Sequence, residues 1–172
     1  YINNKFLKKL NPFLRGGHMI KEVDYNTSTW NDNPWKFEAG TANIAQVLGL
    51  ASSINYINKI GLKNIKKHTD SLRSYLLSEL KKIEDVIIYG HTNDNFGPII
   101  SFNIKGCHPY DIAKLLDEYN ICIRAGHHCG QILMKKLKVN YTNRASLYYY
   151  NSKEEIDLFT SHLNQVIDIL KK

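Results

Sequence analysis

The hydrophobic pattern changes character along the chain. Residues 1–40 are rich in Asn, Gly, Thr and Trp and show little periodicity, which reads as an arm or loop region. From Thr41 onward, apolar side chains recur at Ile44, Val47, Leu48, Ala51, Ile54 and Ile57. That three- and four-residue spacing describes one face of a helix. Thr41 or Asn43 can cap its start and Gly61 its end. A second helix follows through Ile65, Leu72, Leu76, Leu77 and Leu80. Residues 86–89 and 99–104 carry the β-branched and aromatic content of strands. Pro109 opens a helix at its favoured first position, with Ile112, Leu115 and Leu116 behind it. The pattern then predicts a strand over 121–124, a short helix over 131–137, a strand over 144–149 and an amphipathic helix over 153–170. Together these elements predict an α/β fold, with helices on one face of a mainly antiparallel sheet, preceded by an extended arm and a long helix.

Composition agrees with a folded chain. At 172 residues, 43% hydrophobic and 23% charged, it is long enough for one domain with a core, or a domain plus an arm. No apolar run approaches the ~18 residues that a membrane helix needs. Three cysteines at irregular positions make a poor disulfide framework and suit a reducing compartment. The formal charge of +7 comes from lysines spread along helices, with no basic stripe interleaved with aromatics, so nucleic acid is not expected as a partner.

The chemistry concentrates in Arg124-Ala-Gly-His-His-Cys129, followed by Arg144 at the head of Arg-Ala-Ser. A thiol beside imidazoles and a guanidinium, just before a helix start, is placed for activation, because nearby positive charge favours the thiolate. Arg144 offers a planar fork that matches a carboxylate. His127 and His128 can order the loop, polarise the thiol or shuttle protons. Cys122, His127, His128 and Cys129 include zinc-type ligands, but their spacing is poor for a metal site. Cys107 and Cys122 read as structural or incidental.

The Arg-x-Gly-His-His-Cys and Arg-Ala-Ser pair resembles the active-site region of the SufS-type (group II) cysteine desulfurases, members of the class V aminotransferase family that bind pyridoxal 5'-phosphate (PLP). Asn11-Pro-Phe-Leu-Arg-Gly-Gly-His-Met-Ile20 is similar to the family's Pro-Pro-Phe-x-x-Gly-Gly-x-Met-Ile segment. Trp35-Lys-Phe-Glu-Ala-Gly-Thr-Ala-Asn43 resembles its Phe-Glu-Ala-Gly-Thr-Pro-Asn motif, and Tyr150-Asn-Ser-Lys-Glu-Glu155 its Tyr-Asn-Thr-x-Glu-Glu. The matches run in family order over nearly the whole chain. Departures are few: Gly130 stands where alanine is usual, Ile132 where proline is common, and Ala42 replaces a proline.

The resemblance implies the C-terminal small domain of a fold-type I PLP-dependent transferase. Residues 1–40 would be an arm and the tail end of the large PLP-binding domain, and 41–172 the small domain with the cysteine loop. The family's Schiff-base lysine lies in a Ser-Gly-His-Lys-like motif, which does not occur in this sequence. The chain is therefore expected to be the C-terminal part of a longer protein and inactive alone. By resemblance, Cys129 accepts sulfur as a persulfide and Arg144 clamps the substrate carboxylate. Arg124 supports the loop or touches substrate. Gly40 and Thr41 read locally as a turn and helix cap. In the family they reach the PLP phosphate of the other subunit of a homodimer, which makes Trp30, Trp35 and Phe37 interface packing. The whole enzyme would convert L-cysteine to L-alanine and pass sulfur to a SufE- or SufU-like acceptor for iron–sulfur cluster assembly in the SUF pathway. A selenocysteine lyase and a non-catalytic dimerisation or acceptor-docking module are the alternatives. The Asn and Lys bias favours a plastid-type organelle (apicoplast), with bacterial cytoplasm as the other option.

Overall fold

The structure, a computed structural model, describes residues 2–90 and 97–172. Its packing divides the chain into two compact units, Tyr1–Lys59 and Ile60–Lys172.

The first unit opens with a short helix, α1 (Asn4–Leu7), whose N-cap Asn3 accepts a bond from the Lys5 amide. An antiparallel hairpin follows, β1 (Ile20–Val23) and β2 (Ser28–Trp30), closed by the Asp24 N–H donating to the Thr27 carbonyl at 2.8 Å. The weak periodicity of residues 1–40 predicts an arm or loop region and not this hairpin. The hairpin escapes that reading because no residue of either strand is buried, so no alternation of apolar and polar positions marks it. A 3-10 turn at Trp35–Phe37 leads to helix α2 (Ile44–Ile60), which starts just after Asn43. None of its side chains is buried, and Val47, Leu48 and Ile54 stand exposed.

The second unit begins where Gly61, at φ +87°, breaks the helical run. Helix α3 (Leu62–Leu80) buries Ile65, Leu72, Leu76 and Leu80 at the predicted spacing. Strands β3 (Val86–Tyr89) and β4 (Ile99–Ile104) pair antiparallel. Helix α4 (Pro109–Asp117) has Pro109 in its first turn and His108 as N-cap, whose side chain accepts from the Tyr110 amide at 3.4 Å. Strand β5 (Arg124–Gly126), helix α5 (Gln131–Leu137), strand β6 (Thr142–Ser146) and helix α6 (Lys153–Leu170) complete the unit. The sheet has four antiparallel strands in the order β3-β4-β6-β5.

Helices α3, α4 and α6 cover one face of this sheet. Ile100, Phe102 and Ile104 of β4 pack among Leu76, Leu80, Ile112, Leu116, Phe159 and Leu163 in a continuous core. Strand alternation then sends Ser101 and Asn103 to the opposite face. The fold agrees with the expected helices on one side of an antiparallel sheet.

Two strand boundaries moved. The strand read over 121–124 lies at Arg124–Gly126, because the Ile121 amide still bonds back to the Leu116 carbonyl at 3.1 Å. Asn120, at φ +59°, makes that return. The strand read over 144–149 lies at Thr142–Ser146. Beyond it the Leu147 amide bonds to Pro98, and the Tyr148 amide to the Asn151 side chain, which turns the chain into α6.

Candidate active site

Strands β5 and β6 set the site by their register. Arg124 lies opposite Arg144, Ala125 opposite Asn143 and Gly126 opposite Thr142. Arg144 is in turn opposite Ser101 of β4. The two arginines therefore stand side by side on the face of the sheet that the helices leave open. Like charges directly opposite each other on a sheet are destabilising. The described residues form ion pairs such as Lys66–Asp70, Lys82–Glu79 and Lys171–Asp85, and neither arginine takes part in these. The Arg144 Nε is buried without a hydrogen-bond partner. Paired guanidinium groups with a spare buried donor form a receptor for an anion.

The loop after β5 presents the thiol. Gly126 has φ +136°, which favours glycine, and a Cβ there would lie 3.0 Å from the Tyr110 hydroxyl oxygen and push it aside. His128 and Cys129 follow in the left-handed region at φ +54° and +58°. That conformation costs a non-glycine residue roughly 1–2 kcal/mol. The loop is tied by the Cys129 N–H donating to His127 Nδ1 at 3.1 Å and the Gly130 N–H donating to the His127 carbonyl at 2.8 Å. Cys129 is exposed, and Arg124 Nη2 lies 3.9 Å from its Sγ.

His128 is anchored differently. Its Nε2 lies 3.0 Å from both the carbonyl oxygen and the hydroxyl oxygen of Thr142, a fully buried residue. Its Nδ1 is buried with no partner. Burial holds its pKa below the ordinary 6.5, and the charges of Arg144, Arg124 and His127 push the same way against the Thr142 bond.

Arg124, His127, His128, Cys129 and Arg144 thus converge at one edge of the sheet. Gly40 and Thr41 belong to the other unit. There they line a cavity of about 420 Å³ with His18, Asn31, Trp35 and Glu38. Gly40 takes φ +79° and its N–H is committed to the Gly17 carbonyl at 2.9 Å. A Cβ added at Gly40 would meet nothing within 4 Å, so the backbone is open to an approaching group. The Thr41 hydroxyl and the open cavity beside it are chemically suited to the phosphate of PLP. Among the described residues, no three His, Cys, Asp or Glu side chains cluster to hold a metal ion. Cys122 is exposed with its Sγ 3.6 Å from an Asp117 carboxylate oxygen, and Cys107 is half-buried, its thiol pushed up mainly by burial.

Three contributors were not singled out from sequence: Thr142, Tyr110 and Ser101. Thr142 sits two positions before Arg144, so strand periodicity put both on one face. What it touches depends on pairing with a loop that no local signal reveals.

The aminotransferase class V family matches residues 1–159. A probable cysteine desulfurase of Halobacterium salinarum is 41% identical over 169 residues, which is 98% of this chain and 41% of that protein. A probable cysteine desulfurase of Staphylococcus aureus is 44% identical over 161 residues, 94% of this chain and 39% of that protein. The apo cysteine desulfurase of Thermococcus onnurineus superposes with a TM-score of 0.91 at 38% identity, over 98% of this chain and 42% of that one. The chain spans about two-fifths of the length of these relatives. With its motifs in order and its fold shared, this chain belongs to the aminotransferase class V family.

Proposed function

We propose that this chain is the C-terminal part of a SufS-type, PLP-dependent cysteine desulfurase that converts L-cysteine to L-alanine and holds the sulfur on Cys129. The observation that carries the reading is the exposed Cys129 thiol beside Arg124, with Arg144 as that arginine's cross-strand partner. Relatives at 41% and 44% identity bearing the name cysteine desulfurase support it.

When bound, PLP supplies an electron sink for the amino acid's carbon skeleton. The Thr41 hydroxyl, with the open backbone of Gly40 beside it, would reach the PLP phosphate of the other subunit of a homodimer. Arg144 would grip the substrate carboxylate in a bidentate pair, with its buried Nε as one donor. The Cys129 thiolate attacks the substrate sulfur. A sulfur–sulfur bond forms and the substrate's carbon–sulfur bond breaks. Its electron pair stays with carbon, which takes a proton to become the methyl group of alanine, and Cys129 is left as a persulfide. The exposure of Cys129 suits onward transfer to a SufE- or SufU-like acceptor for iron–sulfur cluster assembly in the SUF pathway. The uncovered apolar side chains of α2 suit association as a homodimer. The Asn- and Lys-rich composition favours a plastid-type organelle as its compartment.

The test is alanine release from L-cysteine by the complete protein. Cys129→Ser should lose at least about 100-fold in turnover, while Cys122→Ser stays within about twofold. Full turnover by Cys129→Ser would overturn the assignment.

A further inference from the structure

We propose that His128 is a positioning residue and not an acid or base, with Thr142 as its anchor. The inference rests on the reading of Cys129 as the reacting sulfur. A carbonyl oxygen can only accept, so the 3.0 Å contact to the Thr142 carbonyl requires the proton of neutral His128 to sit on Nε2. The Thr142 hydroxyl oxygen at the same distance shares that donor. The one proton of the ring is therefore engaged with a buried strand.

The other nitrogen, Nδ1, carries only a lone pair and is buried without a partner. Among the described residues it bonds to nothing, the Cys129 thiol included. His127 differs: its Nδ1 accepts from the Cys129 amide at 3.1 Å, which ties it to the backbone of the thiol residue and not to a remote strand.

The clasp has mechanical consequences. His128 and Cys129 are consecutive left-handed residues, which the chain does not hold without external ties. Thr142 lies on β6 two positions from Arg144, and its strand partner is Gly126, the last residue before the loop. One strand thus fixes both the loop that aims the sulfur and the arginine that meets the substrate. Losing the clasp frees the thiol to wander relative to Arg144.

The experiment uses this full chain and the complete protein, each with His128→Gln, His128→Asn and Thr142→Val. Glutamine places an N–H donor near the position of Nε2, whereas asparagine does not reach it. In wild type, nitrogen NMR should show His128 as a single Nε2–H tautomer with a slowly exchanging ring proton. A mixture of tautomers, or a freely exchanging proton, would overturn the proposal. The iodoacetamide alkylation rate of Cys129 relative to Cys122 should change at least about fivefold in His128→Asn and stay within about twofold in His128→Gln. An unchanged ratio in His128→Asn would overturn it. In the complete protein, His128→Gln should keep kcat within about threefold. A loss of ~100-fold or more is what an acid–base role requires, and it would sink the proposal. Thr142→Val, which keeps the carbonyl but loses the hydroxyl, should fall between the two His128 variants. Should circular dichroism show that variant or His128→Asn unfolded, the wild-type tautomer and His128→Gln decide alone. A complete protein that makes no alanine would defeat the desulfurase reading yet leave the tautomer and alkylation tests intact, so the two failures are distinguishable.

Discussion

Arg124 and Arg144 are direct cross-strand partners on β5 and β6, and no carboxylate among the described residues pairs with either. Two adjacent guanidinium groups repel, and the buried Arg144 Nε lacks an acceptor. An anion between them relieves both problems. Arg124→Gln should therefore leave this chain equally stable or more stable, by about 0.2–1 kcal/mol in urea unfolding at low salt. In the complete protein, Arg144→Gln should raise the cysteine KM far more than it disturbs the fold. A loss of stability above that range in Arg124→Gln would show that the pair is not strained.

The two glycines that flank this loop should differ in what a side chain costs them. Gly126→Ala forces a side chain into a positive-φ residue beside the Tyr110 hydroxyl and should destabilise by about 1–3 kcal/mol. Gly130 has φ −123°, and its Cβ would meet nothing nearer than 3.4 Å. Gly130→Ala should cost less, under about 1 kcal/mol, because its cost is the loss of a glycine at the N-cap of α5 and not a left-handed backbone. Thermal unfolding of both variants checks the contrast.

Acidification should loosen the loop through His128. Its folded pKa is depressed below 6.5, so the unfolded chain binds the proton more readily. The stability held by the neutral imidazole is present above that ordinary value, declines as pH falls through it, and levels off below the lower folded value. His128→Gln carries no titrating ring and should remove this part of the decline. The same acid sensitivity in both proteins would assign the effect to other groups.

The start of α6 depends on a reciprocal cap. The Ser152 hydroxyl accepts from the Glu155 amide at 3.3 Å, and the Glu155 carboxylate accepts from the Ser152 amide at 2.9 Å. Ser152→Ala should cost about 0.5–2 kcal/mol, measured by urea unfolding. A negligible change would mean that core packing alone holds this helix.

Much of this was legible in the chain itself. The spacing of Ile65, Leu72, Leu76 and Leu80 gave α3, and the pattern over residues 153–170 gave α6, because helical periodicity is a local property. Cys129, Arg124 and Arg144 stood out for the same reason: their chemistry lies in residue type and short spacing. The β1–β2 hairpin did not, since its side chains stay exposed and leave no alternation to detect. The boundaries of β5 and β6 shifted because a strand ends where its partner's hydrogen bonds end, and that partner is remote in sequence. Only tertiary structure put Arg124 opposite Arg144 and seated His128 on Thr142. Both depend on the register between β5 and β6, which is fixed by packing of the whole sheet on its helices and not by any segment of sequence alone.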